Sequence, residues 1–584
     1  MTNNCPKYIV LLLLCVLFFP ARSAKAQATT TGSLSGVVAD PSGSAIPGAT
    51  LMISRPVVGF QRTVTANGSG EYVIPNLEAG DYVLRASSKG FADSLYTDVV
   101  ISIGRPSTQN IQMKIGAATD TISVVSSGEV LETTSNTLDT TIKPDAVQDL
   151  PLNGRDALPF AQLVSGAQSG GDTRFTTYNA LPAAALNITV DGMNDNFQRF
   201  RSNSTGFYEA APLRLGAVEE VTVSTDSLTA DAGAEGSVAL RFELKRGTNQ
   251  YHGSAFWQTQ NSAFNANTYY NNAQTPKLPK ASYHINDYGG SVSGPIWKNK
   301  LFLFFNYEQE YIPGQSEGSA FVLTPSAQQG NFTYSGGSGP VNVLSIAAAN
   351  GFPSAVNTDI ASQFSSINTY DGKGQIGTTI LPYENTVTWY YANTQKNAYP
   401  TLRLDYQITP TIDWHVAYDL YWRSLPGSES YPGDPNLSGS FRSSYSTLTS
   451  GVDWTITPQM VDHFNFGLLN TQEEFNAGNS FSPFTSENNL IIYAPGFVNG
   501  GTALSPIVPN YSLPEPRNNP VRDAFDNLTW THHSHTFTFG GDYRTSTDFD
   551  TGLNDPPGNY LGINSLDPAL SMFNPDNFPG LNFQ

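Results

Sequence analysis

The chain has very little cysteine and few charged side chains. Both cysteines, Cys5 and Cys15, lie close to the N-terminus, so the rest of the chain can form neither disulfides nor thiol-based sites. Charged residues make up only 14% of the sequence, and the net charge is −19. This acidic balance disfavours nucleic-acid binding, which requires a basic surface. The 51 glycines, 38 prolines and 12% aromatic residues are instead typical of a β-rich protein with long loops.

No apolar run is long enough to span a membrane comfortably as a helix. The run from Tyr8 to Phe19 is shorter than the ~20 residues that a bilayer requires. It follows Lys7 and precedes small residues, so we predict a secretory signal peptide at residues 1–26, cleaved between Ala26 and Gln27. A mature chain that enters a membrane must therefore do so as a β-barrel, whose closure satisfies every backbone hydrogen bond.

Short alternating runs separated by turn residues predict a small β-sandwich at residues 27–116. The pattern resembles the carboxypeptidase regulatory-like domain, a transthyretin-like fold that often forms the N-terminal domain of outer-membrane receptors. That resemblance implies an accessory module without peptidase activity, and no zinc-ligand pattern accompanies it. An unrelated small sandwich is the alternative. The matching positions are Gly36, Asp40, Gly43, Pro47, Gly48, Ala49, Gly70, Tyr72, Leu77, Gly80 and Tyr82.

The stretch from Gly216 to Trp257 joins a globular segment to a region of a different kind. Two alternating runs predict strands, and turn residues after Arg246 lead into aromatic-rich alternation. The stretch resembles the end of the plug and the entry to the barrel in TonB-dependent outer-membrane receptors. It departs from them at Glu235–Ser237 and Arg241, where a Gly-Gly pair and an Asn are usual. The matching positions are Lys245, Gly247, Thr248, Asn249, His252, Gly253 and Ser254.

Two motifs within residues 128–246 resemble the plug sequences of the same receptors. The first, LPLNGRD, predicts a turn followed by a helix cap at Asp156. The second, a strand followed by Asp-Gly, predicts a tight turn. We expect both motifs to have structural and not chemical roles. Their residues are Leu152, Asn153, Gly154, Arg155, Asp191 and Gly192.

A linker at residues 117–127 separates the sandwich from the predicted plug. It contains an extended, β-prone run with a single charge, which could add a strand to the sheet edge of a partner. Its position resembles that of the TonB box, which implies binding to the energy-transducing protein. The alternative is a last strand of the sandwich or a first strand of the plug. The run consists of Asp120, Thr121, Ile122, Ser123, Val124 and Val125.

Residues 247–584 offer about ten alternating segments of the ~10-residue length expected for tilted membrane strands. In the clearest segment, Trp414–Trp422, alternate aromatic and aliphatic residues predict a lipid-facing side and a polar inner side. The longer polar stretches, such as 314–391 and 477–522, are then expected to be extracellular loops. Receptors of this family close barrels of about 22 strands. We therefore expect the chain to be an N-terminal fragment of a receptor or a truncated product.

Two further patterns are set aside. His532, His533 and His535 form a histidine cluster, but strand alternation places His532 on the opposite face, so we interpret them as a hairpin connection and predict no metal site. Residues 372–377 match G-x-G-x-x-G without opening a helix, and we interpret them as a loop. No nucleophile elbow, phosphate loop or paired carboxylates indicate an enzyme, and no cofactor is predicted.

The sequence thus predicts a mainly β protein: a transthyretin-like sandwich, an α+β plug and part of a transmembrane antiparallel β-barrel. The resemblance implies a TonB-dependent receptor of the outer membrane with its N-terminal domain in the periplasm. Its implied partners are a TonB-type protein, outer-membrane lipid and an extracellular ligand, for which a glycan, a peptide and a metal chelate remain open. The alternative is a surface adhesion protein that binds glycans or proteins without transport.

Overall fold

The computed structural model describes most of the chain between residues 32 and 580. The predicted signal peptide with its Ala26–Gln27 cleavage site, Asp120, Leu152, Asn153 and His533 lie outside the described residues. The described ranges are 32–102, 106–116, 121–125, 139–142, 154–168, 176–180, 186–198, 210–225, 238–273, 282–334, 337–379, 381–427, 440–477, 514–532, 535–551 and 568–580, with residues 277, 280 and 432.

The N-terminal domain is a β-sandwich with an apolar core of its own. Its strands are β1 (Gly32–Ala39), β2 (Thr50–Arg55), β3 (Phe60–Thr65), β4 (Glu71–Leu77), β5 (Gly80–Ser87), β6 (Asp93–Ile101), β7 (Pro106–Thr108), β8 (Ile111–Gln112) and β9 (Thr121–Val125). In one sheet β1 pairs with β4, β7 and β8, and the other sheet has the order β3-β2-β5-β6-β9. Alternate residues of both sheets, such as Leu34, Ile53 and Leu84, are fully buried between them.

The described part of the candidate TonB box lies on this sandwich. Strand β9 pairs in parallel with β6, from Asp93 opposite Thr121 to Thr97 opposite Val125. The pairing places the segment at the edge of the five-stranded sheet. It therefore adopts the position of a last sandwich strand, which is one of the two alternatives that the sequence leaves open.

A second unit, the inner domain, follows the linker. It comprises β10 (Asp139–Ile142), a 3-10 helix (Leu158–Leu163), β11 (Ala167–Gln168), β12 (Thr177–Tyr178), β13 (Leu186–Val190), β14 (Met193–Asn194), β15 (Val218–Ser224) and β16 (Val238–Leu244). Five strands form a sheet in the order β10-β15-β16-β13-β14. Every residue of β13 and β16 is buried, because both faces of the sheet are covered. The helix after Asp156 is a 3-10 helix, whose first residue donates its N–H to the Asp156 carboxylate at 3.2 Å.

The largest sheet is built from the C-terminal half of the chain. The strands of this half are β17 (His252–Asn261), β18 (His284–Trp297), β19 (Leu301–Ile312), β20 (Gln315–Leu323), β21 (Asn331–Phe332), β22 (Val341–Asn342), β23 (Gln375–Thr378), β24 (Glu384–Ala392), β25 (Gln395–Thr409), β26 (Ile412–Leu425), β27 (Ser440–Thr457), β28 (Met460–Ala477), β29 (Glu515–Asn518), β30 (Val521–His532), β31 (His535–Ser546) and β32 (Phe549–Asp550).

Eleven of these strands form one curved antiparallel sheet around the inner domain. The long strands follow the order β17-β18-β19-β25-β26-β27-β28-β30-β31, with β29 and β32 extending it at one end. In β26, Tyr418 and Trp422 are 38% and 40% exposed on the convex side, whereas Ala417 and Asp419 are buried on the concave side. Within the described residues β17 and β31 each pair with one neighbour, so the sheet is not closed there.

The connection between β19 and β25, which the sequence predicts to be an extracellular loop, contains a folded subdomain. The sheet β20-β24-β23 packs against helices to form two small apolar clusters, one around Val387 and Trp389 and one around Phe332 and Tyr383. The helices of the barrel half are Tyr269–Ala273, Pro325–Gln328, Val343–Ala349 and Thr358–Asp371, with 3-10 helices Ser262–Phe264 and Pro568–Met572. Among the described residues, no helix combines the length and hydrophobicity needed to traverse a bilayer.

Candidate functional site

The candidate site is the surface along which the inner domain meets the concave face of the large sheet. Inward-facing residues of β18, β19, β25, β27 and β28 reach across to the turns and loops of the inner domain. Two clusters of buried ion pairs and one apolar band make up this contact. Each is built by residues that are far apart in sequence.

The first cluster is centred on Arg403, an inward residue of β25 whose side chain is 2% exposed. Its guanidinium Nη1 lies 2.9 Å from Oδ2 of Asp191 and 3.8 Å from Glu243, both in the inner domain. Its Nε lies 3.0 Å from Asp405 on the same strand. The backbone of the turn is also fixed, because Asn465 on β28 donates to the carbonyl of Asp191 at 2.9 Å. Arg403 therefore ties the tip of the inner domain to the wall.

The second cluster is centred on Glu308, an inward residue of β19 whose side chain is 1% exposed. Arg155 donates to both of its oxygens, at 2.9 and 3.1 Å, in the bidentate geometry that is strongest for this pair. Arg214 lies 3.4 Å from Glu308 and 3.1 Å from Asp287 on β18. The N–H of Gly216 also donates to Glu308 at 3.1 Å. One barrel carboxylate is thus held by three groups of the inner domain.

An apolar band also lies between the inner domain and the large sheet. Phe197, from the inner domain, packs on Tyr445 with ring centroids 5.8 Å apart, and Tyr445 continues to Tyr421 at 5.7 Å. Beside it, the buried carboxyl group of Asp195 accepts a hydrogen bond from the Thr447 hydroxyl at 3.0 Å. This band excludes water from one side of the contact.

Burial perturbs the acidic residues of the inner domain. It raises the pKa of Asp195 well above the ordinary range of a carboxyl group, and a nearby Asp419 raises it further, against the opposing effect of the Thr447 hydrogen bond. The pKa of Glu243 is also raised well above that range by burial and by the neighbouring Asp191. Burial also raises the pKa of Asp191, against the opposing effect of the Arg403 guanidinium.

The structure brings two of the sequence-predicted motifs to this interface. Asp191 and Gly192 occupy the turn between β13 and β14 with φ of 45° and 79°, and Arg155 reaches Glu308. Gly154, at φ 87°, lies beside Arg155 in the same turn. Arg155 and Asp191 thus contact the wall as well as occupying their turns, and the sequence does not indicate these contacts.

Three charged residues of the interface carry no motif in the sequence. They are Arg214, Glu308 and Arg403, and Glu308 and Arg403 occupy inward positions of strands. A charged residue on the inward side of an alternating segment is the signal that could have identified those two. Their partners in the inner domain could not have been found in this way, because they lie about 90 to 210 positions away in the chain.

Sequence comparisons agree with this architecture. The family described as "Outer membrane beta barrel domain" matches residues 243–565, and the "Carboxypeptidase regulatory-like domain" matches residues 33–114. The TonB-dependent transporter Oar of Myxococcus xanthus is 22% identical over 301 residues, which are 50% of this chain and 27% of that protein. The chain therefore spans about a quarter of the length of this relative.

Two solved structures show similarity at low identity. The outer membrane transporter YddB from Escherichia coli is 10% identical with a TM-score of 0.43, covering 70% of this chain and 48% of that one. The FrpB iron transporter from Neisseria meningitidis is 8% identical with a TM-score of 0.36, covering 69% and 59%. The barrel family alone accounts for more than half of the residues. This chain therefore belongs to the outer membrane β-barrel domain family, and it is an outer-membrane protein that carries an N-terminal regulatory-like domain.

Proposed function

We propose that this protein is a TonB-dependent receptor that binds an extracellular ligand and imports it through a plugged β-barrel. Residues 128–246 are the plug, residues 247–584 belong to the barrel, and residues 27–116 lie in the periplasm. The observation that carries the proposal is the seating of the inner domain on the inward face of the barrel sheet by buried ion pairs. A domain held in this way fills the lumen, and apart from the chain that connects Leu244 to His252 its attachment to the wall is noncovalent.

Breaking the two ion clusters would cost different amounts of free energy. When Asp191 withdraws, Arg403 keeps Asp405 on its own strand as a partner at 3.0 Å. When Arg155 and Arg214 withdraw, Glu308 loses the two guanidinium groups that pair with it. A buried charge left without a partner costs about 3–5 kcal/mol. The plug should therefore separate first at Asp191 and pivot about Glu308.

The proposed energy source is a TonB-type protein that binds the linker residues Asp120–Val125. An extended segment binds such a partner by adding a strand to its sheet. Since Thr121–Val125 already pairs with β6, the partner must first detach this strand or add beside it. The ligand is a glycan, a peptide or a metal chelate, and the acidic net charge of −19 makes anionic ligands less favourable.

Uptake of three probes tests the proposal: a fluorescent oligosaccharide, a fluorescent peptide and a ⁵⁵Fe-labelled siderophore. Cells that produce the full-length protein should accumulate at least one probe. Accumulation should fall to background in a strain without TonB and in the Ile122→Pro/Val124→Pro variant, because proline removes backbone donors from the segment. Lys89→Glu, at an exposed position of the sandwich outside this segment, is the control and should transport normally.

A photoreactive amino acid at position 124 separates binding of the partner from the loss of β6 pairing. In cells that produce TonB, irradiation should crosslink position 124 to TonB. The crosslinked product should be absent from a strain without TonB. Probe binding at the cell surface that is unaffected by TonB, with no accumulation inside the cell, would instead favour the adhesion alternative.

A further inference from the structure

The sandwich domain is seated on the end of the barrel at which the short turns lie. The carbonyl of Val57, in the turn between β2 and β3, accepts a hydrogen bond from the N–H of Asn249 at 2.7 Å. Asn249 and Asn299 are joined by two further hydrogen bonds of 2.7 and 2.8 Å, and Asn299 packs against the backbone of Gly59. The turn of the sandwich therefore touches both the entry to β17 and the turn between β18 and β19.

Charges on the two sides of this contact are complementary. Glu78 of the sandwich pairs with Arg246 at the end of the inner domain, and Arg55 lies 3.9 Å from the same carboxylate. Arg62 of β3 faces an acidic rim formed by Asp413 and Asp453 on the inner side of β26 and β27. A cavity of about 60 Å³ lies between the two surfaces and is lined by residues of both. The sandwich thus covers the inner rim of the barrel at this end.

The two domains that touch the barrel are attached by different means. Two apolar clusters contain residues of both the inner domain and the wall. Phe304 and Ala417 are wall residues of the first cluster, and the tyrosines of the apolar band are wall residues of the second. The apolar cluster of the sandwich, as far as the structure describes it, contains residues of the sandwich alone. The seating of the sandwich therefore relies on an ion pair and hydrogen bonds beside a cavity that apolar side chains such as Phe60 and Phe302 also line. Salt weakens such contacts, whereas it strengthens apolar burial.

From this contrast we infer that the regulatory-like domain is a removable gate on the periplasmic mouth of the barrel. Glu78 and Arg62 hold it closed against Arg246 and the acidic rim, and it detaches before the plug does. The inference rests on the proposed transport function, because a gate matters only if a ligand leaves by this mouth. According to this inference, release of the ligand to the periplasm depends on the sandwich as well as on the plug.

Access to a thiol inside the mouth tests the gate without any ligand or energy source. Gln407 lines the space between the sandwich and the barrel, and Cys5 and Cys15 belong to the predicted signal peptide, so Gln407→Cys gives one thiol within residues 27–584. Any cysteine elsewhere in the full-length protein is replaced by serine. The full-length protein in lipid nanodiscs is treated with a maleimide carrying a polyethylene glycol chain. We expect slow labelling at low salt and at least tenfold faster labelling at about 0.5 M salt, where the Debye length falls below ~5 Å.

Charge reversal provides the matched comparison. Glu78→Arg should open the gate and speed labelling at low salt, and adding Arg246→Glu should slow it again by restoring an opposite pair. Lys89→Glu, at an exposed position elsewhere on the sandwich, should leave the rate unchanged. Equal labelling rates in all variants and at both salt concentrations would overturn the gate. That result would leave TonB-dependent uptake intact, so the two proposals can fail separately.

Discussion

At the scale of single residues, buried charge marks where the inner domain contacts the large sheet. Arg403 and Glu308 have almost no exposed surface, and each depends on partners from another domain. Such pairs add little net stability, since desolvation offsets their attraction, but removing one partner is costly. They therefore specify where the inner domain lies more than they strengthen its attachment.

Asp195 gives the stability of the inner domain a pH dependence. Its pKa is raised in the folded state, so below the ordinary carboxyl range both folded and unfolded forms are protonated and stability is unaffected. As the pH rises, the unfolded form ionises first, and stability falls until the raised pKa is passed. Asp195→Asn cannot ionise and keeps an acceptor for Thr447. We expect it to unfold at a higher temperature than the wild type at about pH 8 and to differ little at about pH 4.

Thermal unfolding in detergent at the two pH values measures this difference. Asp81→Asn, at an exposed position of the sandwich, serves as the control and should follow the wild type. A variant Asp195→Asn that is destabilised equally at both pH values would show that the carboxylate is ionised in the folded protein.

At the scale of elements, the middle of β1 leaves no room for a side chain. A Cβ on Gly36 would lie 2.0 Å from the carbonyl oxygen of Gln109, which also accepts a hydrogen bond from Tyr72 at 2.6 Å. Gly36→Ala should therefore push the segment of β7 and β8 away from β1 and cost about 1–3 kcal/mol. Urea unfolding of residues 27–116 measures the loss. Gly68→Ala, which would meet nothing within 4 Å, should change the free energy of unfolding little, and equal values for both would contradict the packing argument.

Strands were the most predictable elements, and their partners the least. The alternation of Trp414–Trp422 correctly predicts β26 and its two faces, because side chains on a strand have a period of two. The attachment of Thr121–Val125 to β6 could not be predicted, since an extended apolar run pairs with whichever edge is free. The sequence does not predict the helix Thr358–Asp371 between β20 and β24, because this segment is polar and weakly periodic.

At the scale of the whole molecule, removal of the plug should open a channel. Deleting residues 128–246 from the full-length protein takes away Arg155, Arg214 and Asp191 together, which frees the lumen wall. Cells with this deletion should become sensitive to vancomycin, which intact outer membranes exclude. Deleting residues 32–116 instead leaves the plug in place, so those cells should stay resistant. Resistance of both strains would argue against a lumen that the inner domain fills.

The subdomain between β19 and β25 can vary without changing the strand pairing of the barrel. The chain enters it at Gln315 and leaves it at Ala392, and these two residues pair with each other. Below them, Ile312 pairs with Gln395 in the ladder of the barrel. Strands β19 and β25 of the barrel thus pair directly with each other beneath the subdomain, and their register does not depend on the sequence of the subdomain. Substitutions, insertions or exchange of the whole unit can therefore change this part of the protein while the wall of the barrel keeps its pairing.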